Sequence, residues 1–175
     1  MAEEKLRLPE GYEYARWEFL HQPEKLLEAL KAVFDDRRFP LYIHGPTGVG
    51  KSSIAALIYS KISRSCMWRR ADAFLIDVAT QRAEGWEALQ GKIRNTPCLF
   101  MDDLGLRPPT ESMFHALFDI MELRAGKPLV ICSNKTLSQL AALYDDRIIS
   151  RLSAGTQLLI DGEDRRKATG RKIRA

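Results

Sequence analysis

Gly45-Pro46-Thr47-Gly48-Val49-Gly50-Lys51-Ser52 is the stretch whose reading decides the rest. The spacing Gly-x-x-x-x-Gly-Lys-Ser suits a backbone that curls around phosphate oxygens with its N–H groups pointing inward. Glycine permits that curl because it takes up positive φ without a side-chain clash. Lys51 brings a point charge for the β- and γ-phosphates of a nucleotide, and Ser52 an oxygen for Mg2+. The flanks agree with this. Leu41-Tyr42-Ile43-His44 reads as a short buried strand just before the loop. Lys51 to Ile62 has helical spacing just after it, with Ile54, Leu57, Ile58 and Ile62 on one side. A helix that starts there presents its N-terminus to the same phosphates.

Working outward, Pro23 can open a helix that carries Leu26, Leu27, Leu30 and Val33 and stops before Pro40. Cys66-Met67-Trp68 is a candidate second strand, followed by helical patterns over Ala71 to Thr80 and Trp86 to Ile93. Cys98-Leu99-Phe100-Met101 and Leu129-Val130-Ile131-Cys132 are unbroken apolar runs of strand length. Between them a helix begins at Thr110-Glu111 and carries Met113, Leu117, Ile120 and Met121. Leu137 to Tyr144 and Arg147 to Leu152 predict short helices, and Gln157 to Ile160 a last strand. Strands alternating with helices argue for an α/β fold with a parallel sheet.

Three strand and helix ends are polar in ways that suit nucleotide chemistry. The run Leu99-Phe100-Met101 ends in Asp102-Asp103. A carboxylate at the end of a buried strand is costly without a partner, and Mg2+ beside a triphosphate is such a partner. Asp102 is the candidate for the magnesium shell, through water, and Asp103 for polarising an attacking water. Asn134, after Ile131-Cys132-Ser133, can hold that water by hydrogen bonds. Arg147 and Arg151 share a helix face, four residues apart. Either could stabilise charge on a transferring phosphoryl group, or both could be a salt-bridged surface beside Asp145 and Asp146.

The bulk numbers set bounds. The 175 residues suit one domain with a real core. No apolar run approaches the ~20 residues of a membrane span, and the polar start Met-Ala-Glu-Glu-Lys is unlike a signal peptide. A cytoplasmic protein without membrane contact is therefore expected. Cys66, Cys98 and Cys132 show no metal or redox spacing and read as buried thiols. The net charge of +4 comes from residues 165–175, which hold six basic and no acidic side chains. Without them the chain carries 21 basic and 23 acidic residues, a net of −2. That basic tail is either a contact for nucleic-acid phosphates or a solvated terminus. Trp17, Trp68 and Trp86 show no stacking array and read as core or interface. Arg124 is a candidate for a subunit boundary.

Taken in order, the Gly-rich loop, the Asp-Asp strand end, Ser133-Asn134 and Asp146-Arg147-Ile148-Ile149-Ser150-Arg151-Leu152 resemble the AAA+ ATPases. Narrower phrases resemble the DnaC/IstB group of helicase loaders and transposition helper ATPases. These are Met101-Asp102-Asp103-Leu104-Gly105, the segment Pro128 to Asn134, and the helix from Arg147 to Leu152. Upstream, Pro9-x-x-Tyr12-x-x-Ala15-x-x-x-Phe19 is similar to the segment that leads into such a domain and helps cover the adenine.

The resemblance implies an AAA+ P-loop NTPase, a three-layer sandwich on a central parallel sheet. It implies that Gly45, Gly48, Gly50, Lys51, Ser52 and Ser53 bind phosphates and metal, and that Asp102 and Asp103 are the Walker B pair. Asn134 is then sensor 1, and Arg151 the arginine finger, with Arg147 as second choice. A finger serves the neighbouring subunit's site, so a homo-oligomer is implied. So are Mg-ATP as cofactor, DNA (single- or double-stranded) as partner, and a replicative helicase or alternatively a transposase. A nucleotide-gated adaptor with negligible hydrolysis is a further alternative, because Asp103 stands where many of these ATPases have Glu. The expected division is a lead-in over residues 1–21, the ATPase domain over 22–164 and the tail over 165–175. Two departures from the group are expected: a short segment before the lead-in motif, and no evident C-terminal lid domain.

Overall fold

The computed structural model describes residues 8–19, 23–62 and 65–164; the basic tail lies outside the described residues. A short 3-10 turn, Trp17–Phe19, precedes the helix α1, Pro23–Asp35. Strand β1, Leu41–His44, runs into the Gly-rich loop and then α2, Lys51–Ile62. Next come β2, Met67–Arg70, α3, Ala71–Ala79, and α4, Ala83–Asn95. Strand β3 is Leu99–Asp102, α5 is Glu111–Leu123 and β4 is Leu129–Ser133. The short helix α6, Leu137–Leu140, α7, Asp146–Ser153, and β5, Thr156–Leu159, complete the order. Every strand pair is parallel, in the order β2-β3-β4-β1-β5.

The pleat explains the three layers. Successive strand residues point to opposite faces of a sheet. Leu41, Ile43, Phe100, Val130 and Cys132 pack with Leu30, Ile54, Leu57 and Ile58, from α1 and α2. Tyr42, Leu99, Met101, Leu129 and Ile131 face the other way, onto Phe74, Leu75, Ile93, Leu117, Ile120 and Leu152. Strands covered on both sides must be apolar throughout, which is why β1, β3 and β4 are continuous apolar runs. The lead-in joins the first layer, with Ala15 buried and Leu8 and Trp17 against it. Among the described residues no helix follows β5. No helix of the described residues is long and apolar enough to cross a membrane.

Three local expectations shift. Strand β2 extends through Arg69 and Arg70, because it is an edge strand whose far end is exposed and carries no apolar signal. Helix α6 ends at Leu140 instead of reaching Tyr144; the chain turns there, Tyr144 is buried, and Asp145 caps α7 through the Arg147 and Ile148 amides. Trp68 does join an aromatic group, stacked on Phe100 at 5.5 Å and tilted against Tyr12 at 5.3 Å. The three cysteines are buried free thiols, as expected. Burial pushes the Cys98 and Cys132 thiols well up, so they stay protonated and inert.

Arg124 is not at a boundary. It is 2% exposed and ties three chain segments together. Its guanidinium donates to the carbonyls of Ile93 (3.1 Å) and Thr96 (2.8 Å), and to that of Pro128. These carbonyls flank the starts of β3 and β4, so Arg124 fixes where both strands enter the sheet. Arg124→Ala removes the donor to the Ile93 and Thr96 carbonyls and leaves Pro128 with only the Leu99 amide. It should lower the unfolding free energy by about 3 kcal/mol in urea melts, and Lys should not fully rescue it.

Candidate functional site

Strand order places the candidate residues on one edge. Strand β4 lies between β3 and β1, with His44 beside Ser133 and Met101 beside Ile131. The loop after β1, Asp102 and Asp103 at the end of β3, and half-buried Asn134 after β4 therefore share the carboxyl edge of the sheet. Ligands bind at this edge in open parallel sheets, where the strand order switches direction.

The loop has the backbone of an anion cradle. Gly45, Gly48 and Gly50 have φ of 150°, 83° and 104°. A Cβ on Gly45 would strike the carbonyl of Ile160, just beyond β5. Val49 is buried in the core, while Pro46 and Thr47 are exposed and Ser53 is half-buried, so the loop is anchored at one point and open along its rim. Lys51 is 5% exposed, and its Nζ donates to the Pro46 carbonyl at 2.6 Å across the loop. His44, at the foot of the loop, is buried; burial, helped by nearby Lys51, holds it below the ordinary histidine range, and it is neutral at pH 7.

The two residues expected from the sequence to face a metal are in contact. Ser52 Oγ donates to Asp102 Oδ1 at 2.8 Å. Asp102 is 2% exposed and accepts two further bonds, from the Asp103 amide (3.1 Å, to Oδ1) and the Tyr12 hydroxyl (2.6 Å, to Oδ2). The lead-in residue Tyr12 thus reaches the carboxylate that ends β3. Burial, with the Asp102 carboxylate, pushes its phenol well above the ordinary tyrosine value. Asp103 has φ of 60°, a left-handed conformation that Asp tolerates better than most residues. Its carboxylate lies 3.7 Å from the guanidinium of Arg70, at the end of β2.

Arg147 and Arg151 lie elsewhere. Arg147 pairs with Asp145 at 2.7 Å and sits over the rings of Phe114 and Phe118. Arg151 pairs with Glu122 at 2.6 Å and sits over Phe118 at 4.4 Å. Their partners belong to α5 and to the start of α7, so the two arginines line a surface built by those helices. Two residues at the site carried no local signal. Arg70 looks like any surface cation in sequence. Asp164 lies in the acidic run Asp161-Gly162-Glu163-Asp164, yet its carboxylate meets Gly48 more than a hundred residues earlier. Tyr12→Phe removes a hydrogen bond to a buried carboxylate. It should cost about 2 kcal/mol of unfolding free energy and expose the lead-in to limited proteolysis; an unchanged urea midpoint would contradict the docking role.

Comparison with known proteins gives a consistent outcome. The model of the bacterial DnaA ATPase domain matches residues 24–159. An insertion sequence ATP-binding protein of Sinorhizobium fredii is 32% identical over 75% of this chain and 58% of its own length. The chromosomal replication initiator protein DnaA of Spiroplasma citri is 30% identical over 71% of this chain and 30% of its own. The chain thus spans little more than half of one of these relatives and under a third of the other. Among solved structures, the DnaC helicase loader superposes with a TM-score of 0.71 at 21% identity, covering 87% of this chain and all of that one. AMPPCP-bound DnaA from Aquifex aeolicus superposes with a TM-score of 0.66 at 18% identity, over 88% of this chain and 53% of that one. The three-layer AAA+ sandwich expected from the sequence is the observed fold, and the chain belongs to the family of the bacterial DnaA ATPase domain, within the AAA+ ATPases.

Proposed function

We propose that this AAA+ domain binds and hydrolyses Mg-ATP at a site shared between neighbouring copies, and that it loads a replicative helicase onto DNA. The observation that carries the reading is the Ser52–Asp102 contact beside a loop of positive-φ glycines. Mg2+ fits these donors. It is a hard cation that takes oxygen ligands, and it sits on one or two protein groups plus phosphates. With Ser52 and Asp102 on one side, phosphate oxygens and water would supply the rest of its shell. When bound, Mg2+ neutralises charge that develops on the β- and γ-phosphates.

In this reading the chain's own residues divide the work. The loop amides of Gly45 to Ser53 and the Lys51 ammonium hold the phosphates. Ser52 and Asp102 orient the metal. Asn134 holds the attacking water, and Asp103 polarises it. Arg70 lies beside Asp103 and can steady its carboxylate, while turnover of a lone subunit is slow because the finger comes from a neighbour. Arg151, with Arg147 as reserve, serves the next copy's site. To do so it leaves Glu122, an exposed ion pair that an incoming phosphate charge can replace.

A second reading keeps the ATPase and changes the partner to a transposase. The 32% identity to an insertion sequence ATP-binding protein favours it. Affinity capture from the native host separates the two by whether a helicase or a transposase is retained.

Lys51→Ala should weaken nucleotide affinity about a hundredfold in a fluorescence titration. Full affinity would remove the loop from the site. Arg151→Ala should keep binding and lose turnover by about a thousandfold. Mixing it with Asp103→Asn subunits should restore part of that turnover, since each supplies what the other lacks. Mixtures as inactive as either variant would count against a shared site, and Asp103→Asn that retains full activity in a loading assay would favour the adaptor alternative.

A further inference from the structure

Just beyond β5 the chain turns back over the Gly-rich loop. The Ile160 amide donates to the His44 carbonyl at 2.8 Å, which extends the β1–β5 pairing by one residue. The Ile160 carbonyl then abuts Gly45 so closely that a Cβ there would overlap it. Four residues later the Asp164 carboxylate packs on Gly48, where a Cβ would overlap both Oδ1 and Cγ. Gly48 is the middle of the three positive-φ glycines. The side chain that occupies this position is an anion.

A cradle of inward N–H groups at a helix N-terminus attracts any anion within reach. A carboxylate offers two oxygens and one charge. A nucleotide's phosphates offer more of both, so the two compete unequally for the same groups. The tether makes Asp164 a competitor at high effective concentration despite its weaker intrinsic hold. We infer that Asp164 competes with a nucleotide phosphate for the loop, and that nucleotide must displace the segment 162–164 to bind. This rests on the nucleotide-site reading above and adds a regulator to it. Apparent affinity is then the intrinsic affinity reduced by the fraction of chains whose cradle is clear. Anything that draws the segment away from the loop raises affinity without touching the nucleotide.

The test is a titration of the full chain with a fluorescent ADP analogue and Mg2+. Asp164→Asn keeps the shape and removes the charge, and should tighten binding about fivefold. Glu163→Gln makes the same charge change at an exposed neighbour and should leave affinity unchanged. Equal tightening by both variants would reduce the effect to bulk charge and overturn the inference. So would no change in Asp164→Asn while wild type binds and Lys51→Ala does not, which leaves the nucleotide site standing. If neither wild type nor Asp164→Asn binds, the nucleotide-site reading itself falls. Hydrogen exchange on the wild-type chain tests the same point without a mutation. The amides of Gly162 to Asp164 should exchange faster when ADP is bound, and unchanged or slower exchange would overturn the displacement.

Discussion

The carboxylate of Asp102 is the constraint on which the site depends. It ends a strand buried on both faces, where an unpaired charge costs several kcal/mol. Its three donors come from three distant parts of the chain: Tyr12 in the lead-in, Ser52 in the first turn of α2, and the amide of Asp103. Satisfying one carboxylate therefore docks the lead-in, fixes α2 against β3 and sets the turn that leaves β3. The left-handed backbone at Asp103 then turns the chain out of the sheet directly after that carboxylate. Packing on the two faces holds the layers together, but it does not choose this arrangement of the carboxyl edge.

Much of the fold was legible because β1, β3 and β4 are covered on both faces and so announce themselves as apolar runs. The conformation of the Gly-rich loop was legible because it is local: eight consecutive residues hold the three glycines that take positive φ. The meeting of Ser52 with Asp102 follows once both are placed at strand ends of one sheet. What could not be read depends on contacts made across the chain. Arg124 has the composition of a surface residue, yet its burial is set by carbonyls of α4, the loop before β3 and the approach to β4. Asp164 has the composition of a solvated turn, and only the close pairing of β5 with β1 brings it to Gly48. Edge strand β2 was half legible, since its last two residues are exposed arginines.

The two arginines of α7 show how one surface can suit two readings. Spacing alone suggested either a salt-bridged face or a reach toward a phosphoryl group. In the isolated chain both are salt-bridged, to Asp145 and Glu122, and both rest on the ring of Phe118. Exposed ion pairs of this kind hold weakly, by about 1 kcal/mol or less, and cation–ring contacts add a similar amount. Such a rest position orders the guanidinium groups without locking them.

The junction between β2 and α3 contains no spacer. Arg70 is at once the last residue of the strand, the residue before the first turn of the helix, and the ion partner of Asp103. A hinge needs slack, and none exists here. Any rotation of the Arg70 backbone is carried into α3 as a tilt of the whole rod. Helix α3 packs along α5, and α5 bears the Glu122 that restrains Arg151. The edge proposed for nucleotide and the arginine proposed for a neighbouring copy are thus connected by contiguous packed parts, as in a linkage with few joints.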